Sequence, residues 1–150
     1  MPGFVCRITF LSCLMVTAAS SQEFSIQIAS PVASQNSQMK RSAFVFRTVG
    51  CSTEAKPEFT AAAEGTVDGA RRTVPLRVVT GAAPNVFGIF HDWPLQGHWV
   101  VSLKAVCGSR SAGALVATDA KGIVRESSTV LNHFATEADI VTSLKASRQK

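Results

Sequence analysis

The sequence predicts an all-β protein, an antiparallel immunoglobulin-like β-sandwich that ends in a short C-terminal helix. Apolar and polar residues alternate with period 2 over much of the chain, and turn residues interrupt this alternation at regular intervals. Alternation places every second side chain on the same face of a strand, so one face can be buried. About seven short strands at such spacing are typical of an antiparallel sandwich. Helical spacing of apolar residues is found near the C-terminus.

The first residues have the charge and apolar order of a cleavable secretory signal. Residues 1–7 carry one positive and no negative charge, residues 8–16 are mainly apolar, and residues 17–21 are small. An uncleaved anchor helix is one alternative, but crossing a bilayer takes about 20 apolar residues. A lipid anchor on Cys13 is the other, although the usual aliphatic residue three positions earlier is missing. We predict a signal peptide over residues 1–21 and a periplasmic or secreted protein without a transmembrane segment.

The predicted mature chain comprises a β-sandwich domain at residues 22–135 and a C-terminal amphipathic helix and tail at residues 136–150. The whole sequence carries a formal net charge of +5. Its adjacent basic residues are the pairs Lys40-Arg41 and Arg71-Arg72. Because these pairs form no basic stripe with interleaved aromatic residues, we expect no binding to nucleic acid.

Runs of β-forming residues bounded by turn residues predict the strands. The runs lie at residues 24–28, 42–51, 58–67, 71–79, 86–90, 98–107, 114–117 and 123–125. The run at 98–107 alternates most clearly, and its first face is apolar throughout: Trp99, Val101, Leu103, Ala105 and Cys107. That face is predicted to be core. The run at 58–67 also suits a helix, because it contains three consecutive alanines.

Asp68-Gly69 predicts a tight hairpin turn between the strands at 58–67 and 71–79. An Asp-Gly pair tolerates the positive φ angles that such a turn needs. The two strands should therefore pair antiparallel. Pro75 lies inside the second strand and cannot donate a backbone hydrogen bond, so we expect that strand to lie at an edge or to carry a bulge.

The C-terminus has the pattern of a short amphipathic helix at residues 136–147. Thr136 and Asp139 have the spacing of a capping box, and apolar residues follow at helical intervals. Phe44 and Phe46 lie on the opposite face of their strand from Val45, so both faces of that strand are apolar. We expect the C-terminal helix, or else a partner protein, to cover the face that is not core.

Cys51 and Cys107 are the cysteines that remain after removal of the signal. An even number of cysteines in an exported protein predicts a disulfide. The strand pattern directs Cys107 into the core beside Trp99. The alternative is a pair of buried free thiols, because free cysteine is among the most buried residue types.

The segment Trp93-Pro94-Leu95-Gln96-Gly97-His98-Trp99-Val100-Val101, followed by Leu103, resembles a turn and strand of known bacterial domains. Its Pro-x-x-Gly-x-Trp pattern is similar to that of small periplasmic immunoglobulin-like domains, of which the FixH/YtkA-like accessory domains are one example. The likeness covers residues 42–117 and implies a sandwich fold. The sequence departs from antibody domains, because it contains no tyrosine and no tryptophan at the expected distance after Cys51.

Two groups of residues are candidates for a binding site. His91, Asp92 and His98 flank one short connection and could converge on a metal ion. Their other interpretation is a set of solvated loop residues. Arg71 and Arg72 lie beside the hairpin turn and could contact an anion or a partner, or could be solvated charges that protect a sheet edge.

The sequence lacks three motifs of redox and hydrolytic enzymes. Cys51 and Cys107 are not in a Cys-x-x-Cys arrangement, and neither Gly-x-Ser-x-Gly nor His-Glu-x-x-His is present. We therefore predict a non-catalytic binding or accessory module without a cofactor, whose partner could be another exported protein. The alternatives are a periplasmic metal-binding domain and a small hydrolase with an unrecognised site.

Overall fold

The computed structural model describes residues 23–31, 36–52 and 54–148, which form two antiparallel sheets and one C-terminal helix. The predicted all-β sandwich with a terminal helix is confirmed. The predicted signal peptide lies outside the described residues. The elements are β1 (Ser25–Ala29), β2 (Phe44–Val49), β3 (Glu58–Val67), β4 (Ala70–Leu76), β5 (Val78–Thr80), β6 (Val86–Ile89), β7 (His98–Cys107), β8 (Arg110–Asp119), β9 (Gly122–Ile123), β10 (Thr129–Leu131) and α1 (Glu137–Arg148).

The first eight strands have the order of an immunoglobulin sandwich. One sheet has the order β1-β2-β6-β5, and the other has the order β10-β8-β7-β3-β4 with β9 beside β8. With β1 to β8 taken as A, B, C, C′, D, E, F and G, these are the A-B-E-D sheet and the G-F-C-C′ sheet. Strands β9 and β10 extend the second sheet beyond this common plan.

The core lies between the two sheets and is rich in aromatic side chains. Phe46 of β2 and Phe87 of β6 pair across one sheet, and Phe59 of β3 meets both from the other. The Phe59 and Phe87 ring centroids are 4.4 Å apart. Trp99 and Leu103 of β7 are also buried, as predicted from the alternation. Inward side chains from both sheets therefore interdigitate, as is typical of a sandwich core.

Cys51 and Cys107 form a disulfide, with their Cα atoms 5.9 Å apart. Cys107 ends β7, and Cys51 follows β2 in the opposite sheet. The bridge therefore joins the two sheets at one end of the sandwich. This confirms the predicted pairing, and it links the same two strands, B and F, that the disulfide of antibody domains links.

The predicted hairpin at Asp68-Gly69 is confirmed. Both residues have positive φ, 49° and 78°, and β3 and β4 pair antiparallel from the Val67–Ala70 pair onward. Strand β4 is an edge strand, which accommodates Pro75 as expected.

The prediction of one strand over residues 71–79 is wrong. The chain leaves β4 after Leu76 and enters β5 at Val78, which pairs with β6 in the other sheet. Both halves are rich in β-forming residues, so their composition does not reveal that the chain crosses between sheets at Arg77.

Strand boundaries also differ from the prediction at β8 and β9. Strand β8 begins at Arg110 rather than at Ala114, because residues 108–109 alone make the turn and Gly108 has a φ of +62°. The strand predicted at 123–125 is shortened to Gly122–Ile123, and a 3-10 turn at Arg125–Ser127 leads into the unpredicted β10. Arg110 and Ser111, which the sequence places in the turn, thus belong to β8, where they pair with Cys107 and Val106 of β7.

The C-terminal helix α1 is confirmed, but it covers a different sheet from the one expected. Ile140 and Leu144 pack against Val100 of β7 and Leu115 of β8, on the outer face of the larger sheet. The backbone N–H of Thr136 donates a 2.8 Å hydrogen bond to Oδ2 of Asp139, and the backbone N–H of Asp139 donates one of 3.3 Å to Oγ1 of Thr136, which is the predicted capping box. The expectation that α1 covers the face of β2 outside the core is therefore wrong, because Val100 and Leu115 are the apolar partners of the helix.

Candidate functional site

The outer face of the smaller sheet carries a groove, which we call the outer groove. It has a volume of about 560 Å³. Strands β1, β2 and β6, the segment 36–42 and the loop between β5 and β6 contribute to it. Its lining includes Gln27, Asn36, Met39, Val45, Arg47 and Val86, together with Ala82 and Ala83 of the loop.

The floor of the outer groove follows from the alternation in β2. Phe44 and Phe46 enter the core, so Val45 and Arg47 lie on the outer face. The register places Val45 between Ala29 and Gly88, and Arg47 between Gln27 and Val86. The row formed by Ala29, Val45 and Gly88, which we call the Val45 row, is apolar. The next row is polar, because it contains Arg47 and Gln27.

Met39 covers part of this face in place of the expected helix. Its side chain is 1 % exposed, and its Sδ lies 2.8 Å from where a Cβ on Gly88 would stand. The missing side chain of Gly88 therefore gives Met39 its space. Met39 begins a 3-10 turn that Ser42 stabilises by donating a 2.6 Å hydrogen bond from its hydroxyl to the carbonyl oxygen of Met39. Met39 does not cover the whole face, and the outer groove lies beside it.

Arg47 is the charged residue among the described residues that line the outer groove. Its Nε donates a 2.7 Å hydrogen bond to Oε1 of Gln27, its neighbour across the β1–β2 pair. Ion pairs within the described ranges involve other residues, Arg71 and His133. The groove thus combines an apolar floor with one cationic group at its polar row.

A second cleft lies at the end of the sandwich where β6 and β8 finish, and it is polar. It has a volume of about 610 Å³, and its charged lining residues include Arg41, Asp119, Lys121, Arg125 and Glu126. The exposed ring of His91 packs against the buried Trp93 at this cleft, with ring centroids 4.3 Å apart. The mixed charges give this cleft no single electrostatic preference.

The residues predicted to bind a metal are not brought together. His91 lines the polar cleft, whereas His98 lies beside the hairpin turn with Gly69 and Gln96. Asp92 is exposed on the connection between them. Across residues 23–31, 36–52 and 54–148, no three His, Cys, Asp or Glu side chains form a group that could hold a metal ion.

The two arginines predicted to contact an anion or partner lie on the edge strand β4. The guanidinium of Arg71 contacts the carboxylate of Glu137 in α1, and its Nη2 lies 3.4 Å from Oε2 of Glu64. The hydrogen bond to Glu137 is the main cause of a pKa of Arg71 above its ordinary value. Arg71 therefore ties the hairpin to the helix, and Arg72 is exposed.

Sequence reasoning did not single out Arg47, Met39 or the outer groove. The apolar character of both faces of β2 is the available signal, and it predicts a cover, either the helix or a partner protein, rather than a groove. Met39 lies in a polar segment of the chain, and Gly88 in an apolar strand, so neither residue alone indicates a contact.

Neither protein-family models, nor curated proteins, nor solved structures contain a match to this chain. The resemblance to FixH/YtkA-like accessory domains therefore stays a prediction from the residues that carry it. None of the helices in the described part of the chain is long and apolar enough to span a membrane.

Proposed function

We propose that this protein is an exported, non-catalytic binding module that holds a small, mainly apolar ligand in the outer groove. The observation that carries the proposal is the concave apolar floor around Val45, in a cavity of about 560 Å³. Small-molecule sites are concave and mostly apolar, have a few polar groups, and occupy roughly 300–1,000 Å³.

The chemistry of the lining supports binding rather than catalysis. The described lining residues are apolar except for Gln27, Asn36 and Arg47, and none of them supplies a nucleophile or a general base. Amide and guanidinium groups orient a ligand by hydrogen bonds. The apolar floor supplies the free energy of binding, at about 25 cal/mol for each Å² removed from water.

A neutral fluorescent probe tests this function. N-phenyl-1-naphthylamine, which has no charge, should bind the mature protein saturably with a rise in fluorescence. Val45→Gln places a longer polar side chain on the floor and should weaken this binding about ten-fold. Val130→Gln is the control for the chemical change alone, because Val130 lies on β10 of the other sheet and is 47 % exposed, whereas Val45 is 6 % exposed.

Amide chemical shifts in the unmutated protein supply a second measurement that does not depend on a variant folding. The probe should shift the amides of Val45 and Val86 and leave those of Lys121 and Arg125 in the polar cleft unchanged. Absence of saturable binding, or shifts centred on the polar cleft, would refute the outer groove as the binding site.

Export is tested separately by the intact mass of protein recovered outside the cytoplasm. Cleavage of the predicted signal should leave an N-terminus between Ser20 and Glu23, because the small-residue segment ends there. A full-length mass, or a lipid adduct on Cys13, would show that this part of the proposal is wrong.

A further inference from the structure

We propose that the ligand of the outer groove is an amphiphilic anion, whose apolar part lies on the Val45 row and whose carboxylate or sulfonate binds Arg47. This inference rests on the proposed function and specifies its ligand. It is carried by the position and the hydrogen bonding of Arg47, and by the contrast between Arg47 and Arg71.

Arg47 and Val45 lie on the same face of β2, two residues apart. An extended strand rises about 3.3 Å per residue, so roughly 7 Å separate the two Cα atoms along the strand. A ligand that covers the apolar floor therefore has the guanidinium within reach of one end. A molecule with a hydrocarbon body and a single anionic group matches this arrangement of apolar and cationic surface.

The hydrogen bond from Nε to Gln27 orients the guanidinium at the groove. It uses one of the five donors of Arg47, and the two Nη groups keep the other four. In the described residues, neither Nη group makes a hydrogen bond or an ion pair with a protein acceptor. A carboxylate or sulfonate can accept two parallel hydrogen bonds from such a fork.

Arg71 shows what a structural arginine looks like in the same protein. Its guanidinium contacts two carboxylates, those of Glu64 and Glu137. Arg47 has the neutral amide of Gln27 as its neighbour instead, and no carboxylate lines the described part of the outer groove. Arg47 is exposed, so water solvates its positive charge, which no carboxylate neutralises, and an anionic ligand would replace that water.

The test compares two probes that differ by one anionic group. 8-Anilino-1-naphthalenesulfonate is N-phenyl-1-naphthylamine with a sulfonate added. Arg47→Gln should lower the affinity for the sulfonate probe about ten-fold. The free energy of a hydrogen bond to a charged group corresponds to a change in the dissociation constant of about this size. The affinity for the neutral probe should change less than about two-fold. Decanoate should displace the sulfonate probe better than decanol does, and Arg47→Gln should remove this difference.

Two control variants separate Arg47 from other cations. Arg72→Gln removes an exposed arginine of β4, and Arg125→Gln removes a cation of the polar cleft. Both should leave the two affinities as in the unmutated protein. Amide shifts at Val45 and Val86 should accompany binding of the sulfonate probe.

The outcomes distinguish this inference from the function on which it rests. Selective loss of the anionic probe in Arg47→Gln supports both. An equal change for the two probes, or none, overturns the role of Arg47 and leaves an apolar binding site. Failure of both probes to bind the unmutated protein overturns the proposed function as well. Loss of the sulfonate probe in Arg125→Gln alone would assign anion binding to the polar cleft and overturn the inference.

Discussion

Trp99 of β7 lies directly against Gly65 of β3, its partner in the antiparallel register. A Cβ on Gly65 would overlap the six-membered ring of the indole. The indole Nε1 donates a 2.8 Å hydrogen bond to the carbonyl oxygen of Gln96, which holds the ring in this position. Gly65 therefore serves the packing of the larger sheet by having no side chain.

Gly65→Ala should destabilise the domain by about 1–3 kcal/mol, because the added methyl group displaces a fully packed ring. Chemical denaturation followed by tryptophan fluorescence measures the change. In a Trp99→Leu background the same substitution should have a much smaller effect, since leucine leaves room for the methyl group. Equal destabilisation in both backgrounds would mean that contact with the Trp99 ring is not what excludes a side chain at position 65.

The hairpin turn gives a second prediction. Gly69→Val should destabilise the domain by about 1–2 kcal/mol, because a β-branched residue would have to adopt the positive φ of Gly69. The melting temperature should fall accordingly. Asp68→Asn is the matched control, since asparagine tolerates the φ of 49° at that position. An unchanged melting temperature in Gly69→Val would contradict the turn geometry.

The disulfide should contribute about 4 kcal/mol to stability, from the loop-closure entropy of a bridge between residues 56 positions apart. Urea denaturation with and without a reducing agent measures this contribution. Mass spectrometry of unreduced mature protein should show the loss of two hydrogens and no thiol that can be alkylated after unfolding. Two alkylatable thiols in freshly exported protein would show that the bridge does not form in the cell.

Acid should loosen the start of α1. The side-chain hydroxyl and then the backbone N–H of Thr136 hold the pKa of Asp139 below its ordinary value, and His133 adds a smaller effect. A carboxyl whose folded pKa is lowered stabilises the folded state above its unfolded pKa, and this stabilisation is lost as pH falls through the folded value. Asp139→Asn should therefore flatten the acid part of the stability curve.

Thermal melts across the acid range measure this effect, and NMR titration of the Asp139 carboxyl measures its pKa directly. Thr136→Ala should raise that pKa toward its ordinary value by removing the side-chain hydrogen bond. It should also destabilise the domain by about 1 kcal/mol through loss of the N-cap. A titration unaffected by Thr136→Ala would contradict the capping box.

The candidate site was harder to predict than the fold, for a physical reason. The outer groove combines Val45 and Arg47 of β2 with Met39 from a polar segment and Val86 from a strand much later in the chain. Neither the alternation of apolar residues in β2 nor its composition predicts which segment of the chain covers its outer face. The pattern of β2 therefore does not indicate that Arg47, an exposed residue, lies beside an apolar groove.

Local sequence by itself determined the features that depend on few neighbouring residues. Alternation placed Trp99 on the inner face of its strand, and the turn at Asp68-Gly69 required positive φ. Thr136 and Asp139 accept hydrogen bonds from backbone N–H groups at the start of α1. The tertiary structure decided which strands pair, where the chain passes from β4 to β5, and that α1 covers Val100 while Met39 covers Gly88. Those outcomes depend on apolar contacts between segments far apart in sequence, and the hydrophobic effect is non-directional, so local pattern does not choose among them.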